Sequence, residues 1–223
     1  MKILKAKSSR KGIAVYCYDL EISEDMDLLD DARWNKVLKE LKSGKYHAAV
    51  AAPPCLTFSA VRGKGSYNIR PLRGCDQVTI YGLPDLNCDE KEAVKIGTAC
   101  ARRALDMAAV VQELKPPWVI ETPKKQAGNP NLFELPEYLR FREAHNIEPQ
   151  ASVQCPYGSD YQKPTWWLSN IDLNFEAECK HPWRWWTIPW SGESYISPHP
   201  KLMGRQSGIY TIRDVDTEHA ATI

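Results

Sequence analysis

The chain has 223 residues, 43% hydrophobic, 26% charged and 10% aromatic, which suits one buried α/β-sized core and excludes a disordered or fibrous chain. With Lys+Arg at 29 and Asp+Glu at 28 the formal charge is +1, so a polyanion must be met by a local basic patch and not by a global field. Apolar runs such as Ala48 to Pro54 fall far short of the roughly 20 residues that span a bilayer, and Met1-Lys2-Ile3-Leu4-Lys5 lacks the apolar core of a secretory signal. A soluble, cytoplasmic protein with no membrane partner is expected.

Residues 1–12 are a basic polar tail, and Ile13 to Tyr18 reads as a short strand ending at Asp19. Trp34, Val37, Leu38 and Leu41 recur at helical spacing from Asp31, with Gly44 placed as a stop. His47 to Ala52 is a strand halted by Pro53-Pro54. The stretch from Leu56 to Gly74 has no acidic residue; Arg62, Lys64, Arg70 and Arg73 among glycines predict a long basic loop. Asp89 to Glu92 opens a helix with a broad stripe of small apolar side chains running to Leu114, and Pro116-Pro117 ends it. Trp118 to Ile120 is the next strand, reaching Glu121. A helix around Leu135 to Ala144, a Cys155 to Gly158 turn and a strand from Thr165 to Ser169 follow. This alternation predicts an α/β fold with a doubly wound, mostly parallel sheet over 13–175. Residues 176–223, rich in Trp, Pro, Ser and Gly, show no clear period and are expected to form a small irregular appendage.

Ligands of such sheets bind at the carboxyl ends of the strands, where Asp19, Cys55 and Glu121 would all arrive. Cys55 becomes a nucleophile when positive charge, from Arg62 or its loop, favours the thiolate; otherwise it is a buried structural thiol. Glu121, partly buried, is placed to share a proton with a ring nitrogen of a bound base, or else to serve as a loop carboxylate. The basic loop fits phosphate tracking as well as simple solvation. The six tryptophans between Trp166 and Trp190 are read as packing before base stacking.

Seven cysteines with no Cys-x-x-Cys pair are read as reduced thiols. Cys179, His181 and His199 form a weak Cys-x-His pattern with no evident fourth ligand, so no metal site is expected. The zinc-deaminase signature is missing, because Pro54-Cys55-Leu56-Thr57 has no second cysteine and no upstream His-x-Glu. A thiol hydrolase pairing Cys55 with His47 is disfavoured, since the two lie at opposite ends of one strand.

Pro53-Pro54-Cys55-Leu56-Thr57-Phe58-Ser59, with Glu121-Thr122-Pro123 and Tyr157-Gly158 through Gln162-Lys163-Pro164-Thr165, resembles the DNA cytosine-5 methyltransferases, in particular their short phage and mobile-element branch. The match covers roughly residues 13 to 170. It implies a Rossmann-like methyltransferase fold, shortened at its N-terminus, and a covalent mechanism. Cys55 would attack C6 of a flipped cytosine, Glu121 would stabilise the protonated N3, and C5 would take a methyl group from S-adenosylmethionine. Gln162 and Lys163 would hold the base and its phosphates, with Lys163 in place of the family's paired arginines. Asp19 or Glu21 would hold the cofactor ribose, Asp27 would lie near adenine, and Pro53 beside the cofactor. Ser59, Arg62, Lys64, Arg70 and Arg73 would contact DNA. Thr122 stands where the family has Asn, and no Phe-x-Gly-x-Gly segment precedes Asp19. The cofactor grip is therefore expected to be weak unless a second chain completes it, and a catalytically inactive relative that binds nucleic acid or a partner is the alternative.

Overall fold

The computed structural model describes residues 14–20, 22–58, 70–159, 163–187 and 194–199 with their side chains, and the backbone of 3–4 and 213–216. Strands β1 (Ile3–Leu4) and β2 (Val15–Tyr16) form an antiparallel pair of their own. Helix α1 (Asp31–Lys42) starts at Asp30, whose carboxylate accepts from the Arg33 amide at 2.7 Å, and buries Trp34, Val37 and Leu41 on one face. It packs against α2 (Cys88–Leu114).

Helix α2 opens with a capping box in which Asn87 and Glu90 satisfy each other's backbone amides, both at 2.9 Å. It closes on Lys115 in the left-handed region (φ 70°), just before the two prolines. Its small buried residues, Ala101, Ala104 and Ala108, bring the backbone close to the sheet.

That sheet has the order β3-β4-β6-β5, from β3 (Ala49–Ala51), β4 (Trp118–Pro123), β5 (Gln150–Val153) and β6 (Pro164–Ser169). Strands β3 and β4 are parallel and joined through α2, a complete βαβ unit. Strand β6 runs antiparallel to both β4 and β5. The sheet is thus mixed, with one parallel pair, where a mostly parallel sheet was expected. The connection explains this: residues 154–163 between β5 and β6 are too few for a parallel crossover of a dozen or more. The first expected strand also differs, since β2 pairs with β1 and stays out of the sheet.

Helix α3 (Pro136–His145) adds Tyr138 to the core and packs Phe141 against it. Trp118, Ile120, Leu132, Phe133, Tyr138 and Leu168 are fully buried, and the Tyr138 hydroxyl donates to the Ala101 carbonyl at 2.7 Å, satisfying the one polar atom of that ring. Strand β3 is an edge strand among the described residues, and its Val50 is 71% exposed.

The expected irregular appendage contains a sheet instead. Strands β7 (Arg184–Thr187), β8 (Ser194–Ser197) and β9 (Arg213–Asp216) form it in the antiparallel order β8-β7-β9. Two adjacent tryptophans, Trp185 and Trp186, both half-buried, hide the two-residue alternation of β7, and a bulge falls between them. No described helix is long and apolar enough to cross a membrane.

Candidate active site

The site is built where β3 ends beside the last three residues of β4. Ala51 is level with Ile120, so the chain leaving β3 through Pro53-Pro54 delivers Cys55 next to the strand end that carries Glu121. Alternation along β4 buries Trp118, Ile120 and Thr122 on one face and turns Glu121 to the other, where its side chain remains 15% exposed. Because Pro123 pairs with Thr165, the residue before β6 arrives at the same place: Lys163 Nζ lies 3.3 Å from Glu121 Oε1. Lys163 adopts φ 28°, a left-handed conformation that a non-glycine residue holds only when its surroundings enforce it. Its carbonyl accepts from the Thr165 hydroxyl at 2.9 Å.

Cys55, Glu121 and Lys163 form one electrostatic cluster. The half-buried Cys55 thiol is pushed up first by burial and then by the Glu121 charge, while the Lys163 ammonium pulls it down. Burial and the Glu121 charge together favour the neutral thiol. The register partner of Glu121 on β6 is Trp167, and that ring lines a cleft of about 350 Å³ together with Ser152, Tyr157 and Phe175. Trp167 and Phe175 lie 5.0 Å apart between ring centres, so the cleft has an aromatic wall.

The structure corrects the DNA-contact expectation for Arg73 and places Arg70 in ion pairs. Arg73 is 2% exposed and points inward. Its Nε donates to Thr57 Oγ1 at 3.0 Å, and its terminal nitrogens reach the Ile80 carbonyl at 2.7 Å, the Val94 carbonyl at 2.8 Å and Thr98 Oγ1 at 3.0 Å. The guanidinium stacks on Phe58 with 3.9 Å from its carbon to the ring centre. Burial draws its pKa down to about 10. Thr57 and Phe58 belong to the short 3-10 turn Leu56–Phe58 that follows Cys55, and the Phe58 amide donates to the Cys55 carbonyl at 2.9 Å. Arg73 therefore anchors the thiol-bearing turn to α2. Arg70 forms a two-pronged ion pair with Glu90 at 2.9 and 2.6 Å and a second with Asp85. Its charge ties the chain after the loop to the start of α2.

Gly97 on α2 completes this anchor. A Cβ there would lie 2.7 Å from Thr57 Oγ1 and 3.3 Å from an Arg73 nitrogen, so the absent side chain is what admits both groups.

The expected cofactor residues are dispersed. Asp19 is exposed beyond β2, outside the four-stranded sheet, with its carbonyl accepting from the Ile22 amide at 3.0 Å. Asp27 is half-buried and turns inward, accepting from the Leu29 amide at 2.8 Å and adding to the upward push that burial exerts on Cys100 of α2. Pro53 is half-buried in the turn before Cys55. Glu21, Ser59, Arg62, Lys64 and Gln162 lie outside the described residues.

No metal site was expected for want of a fourth ligand, and a fourth donor is present. Cys155, in the turn after β5, meets Cys179, His181 and His199 with one donor atom of each within 4.8 Å of all the others. The Cys-Pro-Tyr-Gly turn is visible in sequence, but nothing in its spacing links it to Cys179-x-His181.

No protein-family model, no curated protein and no solved structure matches the chain, so function rests on the chemistry of these side chains.

Proposed function

We propose that the chain is a DNA cytosine-5 methyltransferase-like protein whose Cys55 forms a covalent adduct at C6 of a flipped cytosine. The observation that carries this reading is the meeting of Cys55, just past β3, with Glu121 on β4 and Lys163 ahead of β6. In the addition step Cys55 gives up its proton, which ends on N3 where Glu121 holds it; the sulfur forms the bond to C6, and the electron pair of the C5–C6 double bond shifts onto C5, conjugated through C4 to N3. C5 thereby becomes nucleophilic.

The resting thiol gives this step an internal control. Glu121 engaged with a protonated N3 no longer presents its full charge to Cys55, so the base that needs the thiolate also relieves part of what suppresses it. Lys163, paired with Glu121, favours the thiolate.

S-adenosylmethionine, the methyl donor implied by the resemblance, does not fit a cradle formed by the described residues. Asp19 stands outside the main sheet, Asp27 turns inward, and β3, which would border the cradle, leaves Val50 71% exposed along an open edge. On this reading the four-stranded sheet is one half of a doubly wound sheet. The cofactor half would come from a second chain pairing along β3. The same observation favours the second reading, an inactive relative that binds nucleic acid or a protein partner.

Exchange of the cytosine C5 hydrogen in heavy water tests adduct formation without any donor. Wild-type chain mixed with cytosine-containing DNA should catalyse exchange, Cys55→Ser should abolish it, and Glu121→Gln should slow it about 100-fold. A parallel trap with 5-fluorocytosine DNA and added S-adenosylmethionine reports transfer. Salt-sensitive DNA binding without Cys55-dependent exchange or trapping would establish the inactive relative instead.

A further inference from the structure

We propose that Cys155, Cys179, His181 and His199 hold a structural zinc ion that fastens the C-terminal sheet to the main one. This is independent of the reading of Cys55. The four residues come from three separate places: the 3-10 turn Cys155–Tyr157 after β5, the connector between β6 and β7, and the residues after β8. Their donor atoms nevertheless converge within 4.8 Å of one another. His181 Nδ1 lies 3.2 Å from His199 Nε2 and 3.4 Å from Cys179 Sγ. Zinc bound at about 2.0–2.1 Å to nitrogen and about 2.3 Å to sulfur gives tetrahedron edges of roughly 3.3 to 3.8 Å; the two His181 separations are near that size, and the wider ones, up to 4.8 Å, would close by about an ångström on binding.

Hydrogen bonding alone does not account for this arrangement. An imidazole nitrogen offers a single in-plane position, either one lone pair or one N–H. His181 Nδ1 faces two partners at once, a second imidazole nitrogen and a sulfur. The two rings stand at 76° with centres 4.6 Å apart, so that donor atoms from differently oriented rings meet at a common point. One cation at that point satisfies every donor simultaneously.

The donor set selects the metal. Two thiolates and two imidazoles, with no carboxylate, suit zinc over magnesium or calcium. Four protein ligands fill a tetrahedron and leave no position for water or substrate, which makes the site structural and not catalytic. Cys155 and His199 are buried, whereas His181 is exposed, so the ion would sit at the seam between the sheets. The connector is already tied down on one side, with the Val153 amide donating to the Glu176 carbonyl at 3.1 Å and the Glu176 amide to the Tyr157 hydroxyl at 2.8 Å. The metal would supply the corresponding tie to β8.

The test is elemental analysis of the purified full-length chain, with cobalt substitution as a second measurement. About one equivalent of zinc per chain is expected, with intense tetrahedral d–d bands and a thiolate charge-transfer band once cobalt replaces it. Cys179→Ser and His199→Ala should lower the zinc content at least about tenfold, and Cys75→Ser, a change at an exposed thiol outside the cluster, should leave it unchanged. Chelation should increase amide exchange in β7 and β8 while α2 stays protected. The wild-type measurements stand even if a ligand variant fails to fold. Three results overturn the proposal: wild-type chain that stays below about a tenth of an equivalent after zinc reconstitution, a cobalt spectrum without thiolate charge transfer, or a Cys155–Cys179 disulfide in metal-free protein.

Discussion

Lys163 Nζ sits 3.3 Å from Glu121 Oε1, and the two charges act on the Cys55 thiol in opposite directions. Deleting either one therefore moves the thiol predictably. Glu121→Gln should lower the pH midpoint of Cys55 alkylation and Lys163→Met should raise it. Moving that midpoint by about one pH unit changes the thiolate fraction at neutral pH about tenfold. Site-resolved mass spectrometry separates Cys55 from the exposed Cys75 and Cys88. A midpoint unmoved by both changes would show that the charges do not reach the sulfur. The raised thiol also has a stability consequence. A thiol whose pKa rises on folding contributes stability that is full below its ordinary range and is lost as pH climbs through the folded value.

Arg73→Ala should destabilise the fold by about 3 kcal/mol or more, because Thr57, Thr98 and two buried carbonyls lose their donor together. Arg70→Ala, at a more exposed ion pair, should change the urea midpoint less. The order of the two midpoints is the measurement; an equal or reversed order contradicts the anchoring role of Arg73.

Gly97→Ala sets two effects against each other. Helix propensity favours alanine by about 1 kcal/mol, while overpacking costs about 1–3 kcal/mol. The second should win, because Thr57 Oγ1, 2.7 Å from the new Cβ, is held by Arg73 and cannot swing away cheaply. Lower stability and altered Cys55 alkylation are expected together in one variant.

Thr122→Val should raise stability by about 1 kcal/mol. Thr122 is 1% exposed and its hydroxyl has no partner among the described residues, so a methyl of similar shape removes a desolvated oxygen. Chemical denaturation of the two proteins decides this, and a loss of stability would mean that the hydroxyl is engaged.

The βαβ core was legible because its punctuation is strong. Double prolines follow β3 and α2, and the small residues of α2 mark a helix lying close to a sheet. Cys55 and Glu121 followed from those boundaries. Strand β5 escaped because Gln150-Ala151-Ser152-Val153 carries little apolar signal, and without it the antiparallel turn into β6 was invisible. Arg73 misled for a different reason: a cation in a glycine-rich run reads as solvated, and only the fold reveals the hydroxyls and carbonyls that take it inside. The donors around Cys155 lie on segments too far apart in sequence for any spacing rule to join them.

The side of β3 left open among the described residues has a built-in brake on self-association. A stray strand docking there finds a ladder only three residues long, and beyond Ala52 it meets Pro53 and Pro54, two nitrogens with no hydrogen to offer. Fibril-like zippering is starved of rungs at that point, so the border can stay available to a matched partner while resisting indiscriminate stacking.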